Sequence, residues 1–112
     1  MNDTINWSDF AKVDMRIGTI IRVDDFPEAH NSSYRMTLDF GPEIGTLKSS
    51  AQLTLRYSKE QLVGKQVVAV VNFPKKQIAN FMSECLVLGA VQGKDVILLH
   101  PETNSDNGLK IG

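Results

Sequence analysis

The sequence predicts an all-β fold, a small five-stranded barrel with a short N-terminal helix and a C-terminal extension, and three observations predict it. Apolar residues recur mostly at every second position, helix signals are few and short, and two apolar runs are rich in β-branched residues. Residues 34–40, Tyr-Arg-Met-Thr-Leu-Asp-Phe, alternate without a break, as a strand with one buried face requires.

Taken in chain order, Asn6 or Ser8 caps a short N-terminal helix in which Trp7 and Phe10, three apart, share a face. Residues 16–23 alternate, with Ile17, Thr19, Ile21 and Val23 on one expected face and Arg16, Gly18, Ile20 and Arg22 on the other. A strand is expected over 46–56, where Leu47, Ser49, Ala51, Leu53 and Leu55 share a face. Ser58 and Gln61 form a capping-box pattern and Gly64 can end the turn, so one to two helical turns fall at 59–63. Residues 67–71 and 86–88 are apolar on both faces and read as strands covered on both sides. Residues 95–99 make a sixth candidate strand. Turns fall at Phe26-Pro27-Glu28, Gly41-Pro42, Asn72-Phe73-Pro74 and Gln92-Gly93-Lys94. Five or six strands with one short helix after the third match the order of an OB-fold, with other small barrels still open.

The 112 residues support one compact domain, 1–112, able to remove roughly two-thirds of its unfolded surface from water. The lone Cys85 has no internal disulfide partner, which suits a reducing cytoplasm. No apolar run approaches the ~18 residues of a membrane span, and the N-terminus has neither the basic start nor the apolar stretch of a signal peptide. A cytoplasmic protein with no membrane insertion is the expectation. The net charge of −1 hides an asymmetry: residues 1–44 hold four basic and eight acidic side chains, 45–84 six and two, and 85–112 two and three. A fold that gathers the middle lysines and arginines would present an anion-attracting face.

Catalytic chemistry is sparse. His30 and His100 lack a second ligand at metal-binding spacing, and no phosphate-binding glycine loop is present, so no metal, cofactor or catalytic residue is expected. Cys85 lies in an apolar run, where an inert buried thiol is expected rather than a nucleophile. Asp24 and Asp25 point to opposite faces of a strand and do not make a paired-carboxylate site. Two segments stand out. Asn72-Phe73-Pro74-Lys75-Lys76 ends an apolar strand with an amide, an aromatic and two cations, a set suited to phosphate and base or to a peptide backbone. Lys48-Ser49-Ser50-Ala51-Gln52 puts small side chains where a core prefers valine or leucine, leaving room for a ligand or another backbone, or fitting a crowded interior.

Read together, several segments carry a resemblance. They are residues 10–20 with Asp14-Met15-Arg16-Ile17-Gly18, then Phe26-Pro27-Glu28-Ala29, Asp39-Phe40-Gly41, Ser49-Ser50-Ala51-Gln52-Leu53-Thr54, 68–74 ending Asn72-Phe73-Pro74, Ser83-Glu84 before Leu86-Val87-Leu88-Gly89, and the ending 107–112. The chain resembles the tRNA-binding-domain family, and its Ser-Ser-Ala-Gln segment resembles that of the CsaA-type secretion chaperones within it. The resemblance implies an OB-fold core, a free-standing homodimer built through terminal extensions (with Trp7 and Phe10 as dimerisation residues), no catalysis, and partners that are unfolded preproteins or peptides and tRNA. Carried over by position, Asn72, Lys75, Lys76, Ser83 and Glu84 are RNA-facing, and Ser49, Ser50, Gln52 and Phe73 are peptide-facing. Asn80 stands where the family usually has glycine and is expected to take that residue's positive φ. Met82 stands where the family commonly has a lysine or other polar residue, which weakens the RNA reading and offers an adaptable apolar surface for peptides.

Overall fold

The longest strand, β1 (Met15–Asp25), bends the sheet into a barrel. The computed structural model describes residues 3–112; residues 1 and 2, the start of the expected 1–112 unit, lie outside the described residues. The first half of β1 pairs antiparallel with β4 (Gln66–Val70) and its second half with β2 (Tyr34–Asp39), so the strand serves two neighbours in turn. Adding β3 (Thr46–Ala51) and β7 (Leu86–Val87) gives a five-stranded sheet in the order β3-β2-β1-β4-β7, nearly closed on itself as an OB-like barrel.

A bulge corrects the expected faces of β1. The register slips between Ile20 and Arg22, so Ile21 has no partner on β2. Ile20, before the slip, is fully buried and Ile21 is half exposed, while Val23 beyond the slip packs against the same core as Ile20 instead of sharing the face of Ile21. Ile17 stays buried for another reason. Its N–H donates to Leu109 O at 3.0 Å and its carbonyl accepts from Gly108 N–H at 2.7 Å, so the C-terminal segment runs beside it.

Inside the barrel the alternation of β2 holds, with Tyr34, Met36 and Leu38 inward and Phe40 continuing the series. Leu62, the one buried residue of α3 (Lys59–Leu62), packs into the same cluster with Val67 and Ala69. Each large side chain buried there stabilises the fold by roughly 1.5–3 kcal/mol. The capping box of α3 forms as its sequence predicts, Gln61 N–H to Ser58 Oγ at 3.2 Å and Ser58 N–H to Gln61 Oε1 at 2.8 Å. Asn6, not Ser8, caps α1 (Trp7–Ala11), and none of that helix is buried. Gly41-Pro42 opens a short helix, α2 (Gly41–Ile44).

Three further expectations change. The strand expected over 46–56 stops at Ala51, because Leu53 N–H turns back to Ala51 O and Tyr57 N–H to Leu53 O, each at 3.0 Å. The run 86–88 is not covered on both sides; Leu86 is half exposed. A hairpin that periodicity did not reveal, β5 (Lys76–Ile78) with β6 (Phe81–Ser83), follows Pro74. Its turn puts the positive φ, 51°, on Ala79, while Asn80 donates to Glu28 Oε2 at 3.0 Å. A last hairpin, β8 (Gly89–Gln92) with β9 (Asp95–Leu98), turns at Gly93-Lys94 as expected.

The Asp-x-Arg-x-Gly stretch is architectural. Arg16 pairs with Asp14 at 2.6 Å and donates to Gly108 O at 3.0 Å, fixing the C-terminal segment. A Cβ on Gly18 would sit 2.6 Å from the Phe40 ring, so only glycine lets that ring pack on β1. Gly41, at φ +86°, lets the backbone of Asn107 cross it, since a Cβ there would lie 2.5 Å from Asn107 O.

Candidate functional site

Two stretches of β3 face the returning chain at 83–92, and they meet it differently. At the first, side chains close the barrel. Glu84 N–H donates to Lys48 O at 2.7 Å, and the Glu84 carboxylate accepts from Lys48 N–H at 3.0 Å. Ser83 Oγ accepts from Ser50 N–H at 3.2 Å, and Ser49 Oγ donates to Cys85 O at 3.0 Å. Lys75 adds an ion pair to Glu84 at 3.3 Å. Burial pushes the Cys85 thiol up to about 12, so it is not a thiolate near neutral pH.

Beyond Ser50 the seam opens into a groove of about 710 Å³. One wall is the end of β3 with Gln52 and Leu53, and the other is the chain from Leu86 through Val91. Ile78 contributes apolar surface from β5, and Lys76, Lys94 and His30 supply the cationic and titratable groups. Among the described residues that line it there is no carboxylate.

The residues singled out in the sequence divide between these places. Ser50, Gln52 and Lys76 line the groove. Ser49 is buried and braces the wall from behind, so its hydroxyl does not face the groove. Lys75, Ser83 and Glu84 meet at the seam, where the last two bind backbone. Asn72 sits elsewhere, accepting from Asp14 N–H at 3.0 Å and donating to Lys12 O at 2.6 Å, so it ties the N-terminal segment to the end of β4. Phe73 is exposed and Met82 is half-buried on β6, and neither lines the groove. Trp7 is 75% exposed and packs on Phe10 with ring centroids 5.5 Å apart.

A third surface was not read in the sequence as a unit. On the outer face of the sheet the register sets Arg22, Thr37 and Lys48 in a row across β1, β2 and β3. They line a cleft of about 240 Å³ with Arg35, Phe81 and Asp24, whose carboxylate accepts from Arg22 Nε at 2.8 Å. The Lys48 ammonium stands 5.5 Å from the Phe81 ring centroid, and Arg35 stands 5.5 Å from that of Phe26. The three basic residues come from three strands, so only the strand pairing could have revealed the row. Alternation of β2, which turns Arg35 and Thr37 outward, was the available signal.

This architecture matches known proteins over nearly its whole length. The model of a putative tRNA binding domain matches residues 15–110. The chain is 39% identical over 107 residues to a methionine–tRNA ligase of Nanoarchaeum equitans, a match covering 96% of this chain and only 13% of that enzyme. Among solved structures, the chaperone CsaA of Bacillus anthracis superposes with a TM-score of 0.93 at 49% identity, covering 98% of this chain and all of the other. The CsaA chaperone protein of Picrophilus torridus gives 0.91 at 49% identity, covering 97% and all of the other. The chain therefore belongs to the tRNA-binding domain family, within which it matches the CsaA type.

Proposed function

We propose that this protein is a cytoplasmic molecular chaperone that holds exposed segments of preproteins before export, by binding alone and without ATP. The groove beyond Ser50 carries the reading. About 710 Å³ of open space between apolar walls is the scale at which ligands are enclosed, and its floor is shaped by small side chains. Ser50 and Gln52 would contact the segment, Ser49 would shape the wall, and Phe73 and Met82 would extend the apolar surface along 72–83. The whole chain, 1–112, would act as one domain. Exposed Trp7 with Phe10 supports a homodimer through the N-terminal helix, since two large aromatics in a terminal segment gain by docking. The test is binding to an immobilised array of preprotein peptides together with suppression of aggregation of an unfolded client; failure of both removes the reading. Light scattering that shows a monomer at micromolar concentration removes the dimer.

A second reading, a tRNA-binding protein, is favoured by the row of Arg22, Thr37 and Lys48 beside Arg35 and Phe81. Cations flanking an aromatic ring suit phosphate and base together. Lys75 and Lys76 would add charge, Ser83 and Glu84 would act by holding the backbone of β3 beside that face, and Asn72 would act only by tying the N-terminal segment to the end of β4. Its test is affinity for tRNA measured against salt. Arg22→Ala and Lys48→Ala should each lower the slope by about one. Binding insensitive to salt would count against it.

A further inference from the structure

Along the groove's far wall runs a strand edge that no other strand pairs with among the described residues. In an antiparallel ladder alternate residues turn both backbone groups toward the partner. Leu88 N–H goes to Val68 O at 2.9 Å, and Leu88 O receives Leu99 N–H at 3.2 Å, while β8 continues in register with β9 from Gly89 opposite Leu98. That parity turns the N–H and C=O of Val87, Gly89 and Val91 away from β4 and β9. All three residues line the groove. In a closed barrel this edge would meet β3, but β3 ends at Ala51. The edge is also lightly defended: Val91 is 73% exposed, and β8 itself, Gly89–Gln92, carries no charged residue.

We infer that the occupant of this groove is an extended peptide of apolar and acidic residues, added as a strand along Val87–Gly89–Val91. The inference rests on the chaperone reading and says what that site selects. Backbone groups spaced along an edge are complementary to another peptide backbone, and alternate side chains of the added strand would enter the apolar space formed by Ile78, Leu53 and Leu86. Charge chooses the peptide. Lys76 and Lys94 line the groove without a carboxylate, so acidic residues are favoured and the basic start of an export signal is disfavoured. The same charges oppose a second copy pairing edge to edge about a two-fold axis, which would bring lysine toward lysine.

The probe is a fluorescein-labelled peptide of alternating valine and glutamate, followed by anisotropy with the full-length protein. The glutamate-to-lysine version should bind at least tenfold more weakly. Two N-methylated versions, one at the valine amides and one at the glutamate amides, should differ by at least tenfold from each other, since only one set can face the edge. In the protein, Val91→Pro removes an outward N–H that the β8–β9 ladder does not use, and should weaken binding similarly while the fold, followed by circular dichroism, stays intact. Equal binding of both N-methylated peptides would overturn strand addition and leave the chaperone reading in place. No binding of the probe while the preprotein array stays positive would overturn the acidic–apolar selection alone. Loss of both removes the reading it rests on. A Val91→Pro protein that becomes monomeric would assign the edge to a second copy and overturn the inference.

Discussion

One strand, β3, meets the same returning chain twice, closed at Lys48–Ser50 and open beyond it. At the closed end the contacts are chiefly side chain to backbone: a carboxylate on Lys48 N–H, a hydroxyl on Ser50 N–H and a hydroxyl on Cys85 O. At the open end the two walls face a groove of about 710 Å³. Backbone ladders close a barrel continuously, whereas side chains close it only where they reach. The opening is therefore set by where Ser83 and Glu84 stop, and the residues that stitch the seam define the groove's end.

Breaking the stitched end should have the largest effect on stability. Glu84→Ala leaves Lys48 N–H without its acceptor and removes a charge-assisted hydrogen bond, a loss of about 2 kcal/mol in urea unfolding. Glu84→Gln should recover most of it, because an acceptor oxygen remains. Lys75→Ala should cost less than about 0.5 kcal/mol, since that side chain is 66% exposed. If the lysine variant costs as much as Glu84→Ala, the ion pair and not the backbone clamp holds the seam. Next in size comes Ser49→Ala, expected to cost about 1 kcal/mol by removing a buried hydroxyl's hydrogen bond to Cys85 O. Combined with Glu84→Ala it should fall short of additivity, because both clamps hold one contact.

The comparison also separates what periodicity can see from what it cannot. Tyr34, Met36 and Leu38 were legible because a strand paired on both sides with one face inward writes its burial directly into alternation. The faces of β1 were not, because one extra residue at Ile21 shifts every side chain after it. The end of β3 was misplaced because Gln52 to Arg56 continue the alternation in a stretch where the chain turns on itself. For the site, the small residues at 49–52 were recognisable as unusual for a core, and Ser50 and Gln52 do line the groove. The seam and the outer basic row were illegible one residue at a time. Ser83 and Glu84 act on backbone 33 and 36 residues away, and Arg22, Thr37 and Lys48 meet only through two strand registers.

The smallest expected effect concerns what keeps the open wall in place. Arg56 donates from Nε and Nη2 to the two carboxylate oxygens of Asp95, at 2.8 and 2.7 Å, tying the turn after β3 to the groove-side hairpin. The hydrogen bond and charge of Arg56 hold the Asp95 carboxyl below its ordinary value. A carboxyl lowered in the folded state stabilises it above the unfolded value, about 3.9, and the contribution is lost as pH falls through the folded value. Arg56→Met keeps the length of the stem and deletes the pair. Its urea midpoint should lie slightly below that of the parent at pH 7, and the gap should narrow as pH falls below the unfolded value of about 3.9. Both groups are partly exposed, which keeps the difference small. A gap that stays constant as pH falls from 7 through the acid range would show that the guanidinium stem's packing, and not the ion pair, anchors the hairpin. The open wall would then be held by the same kind of contact as the core.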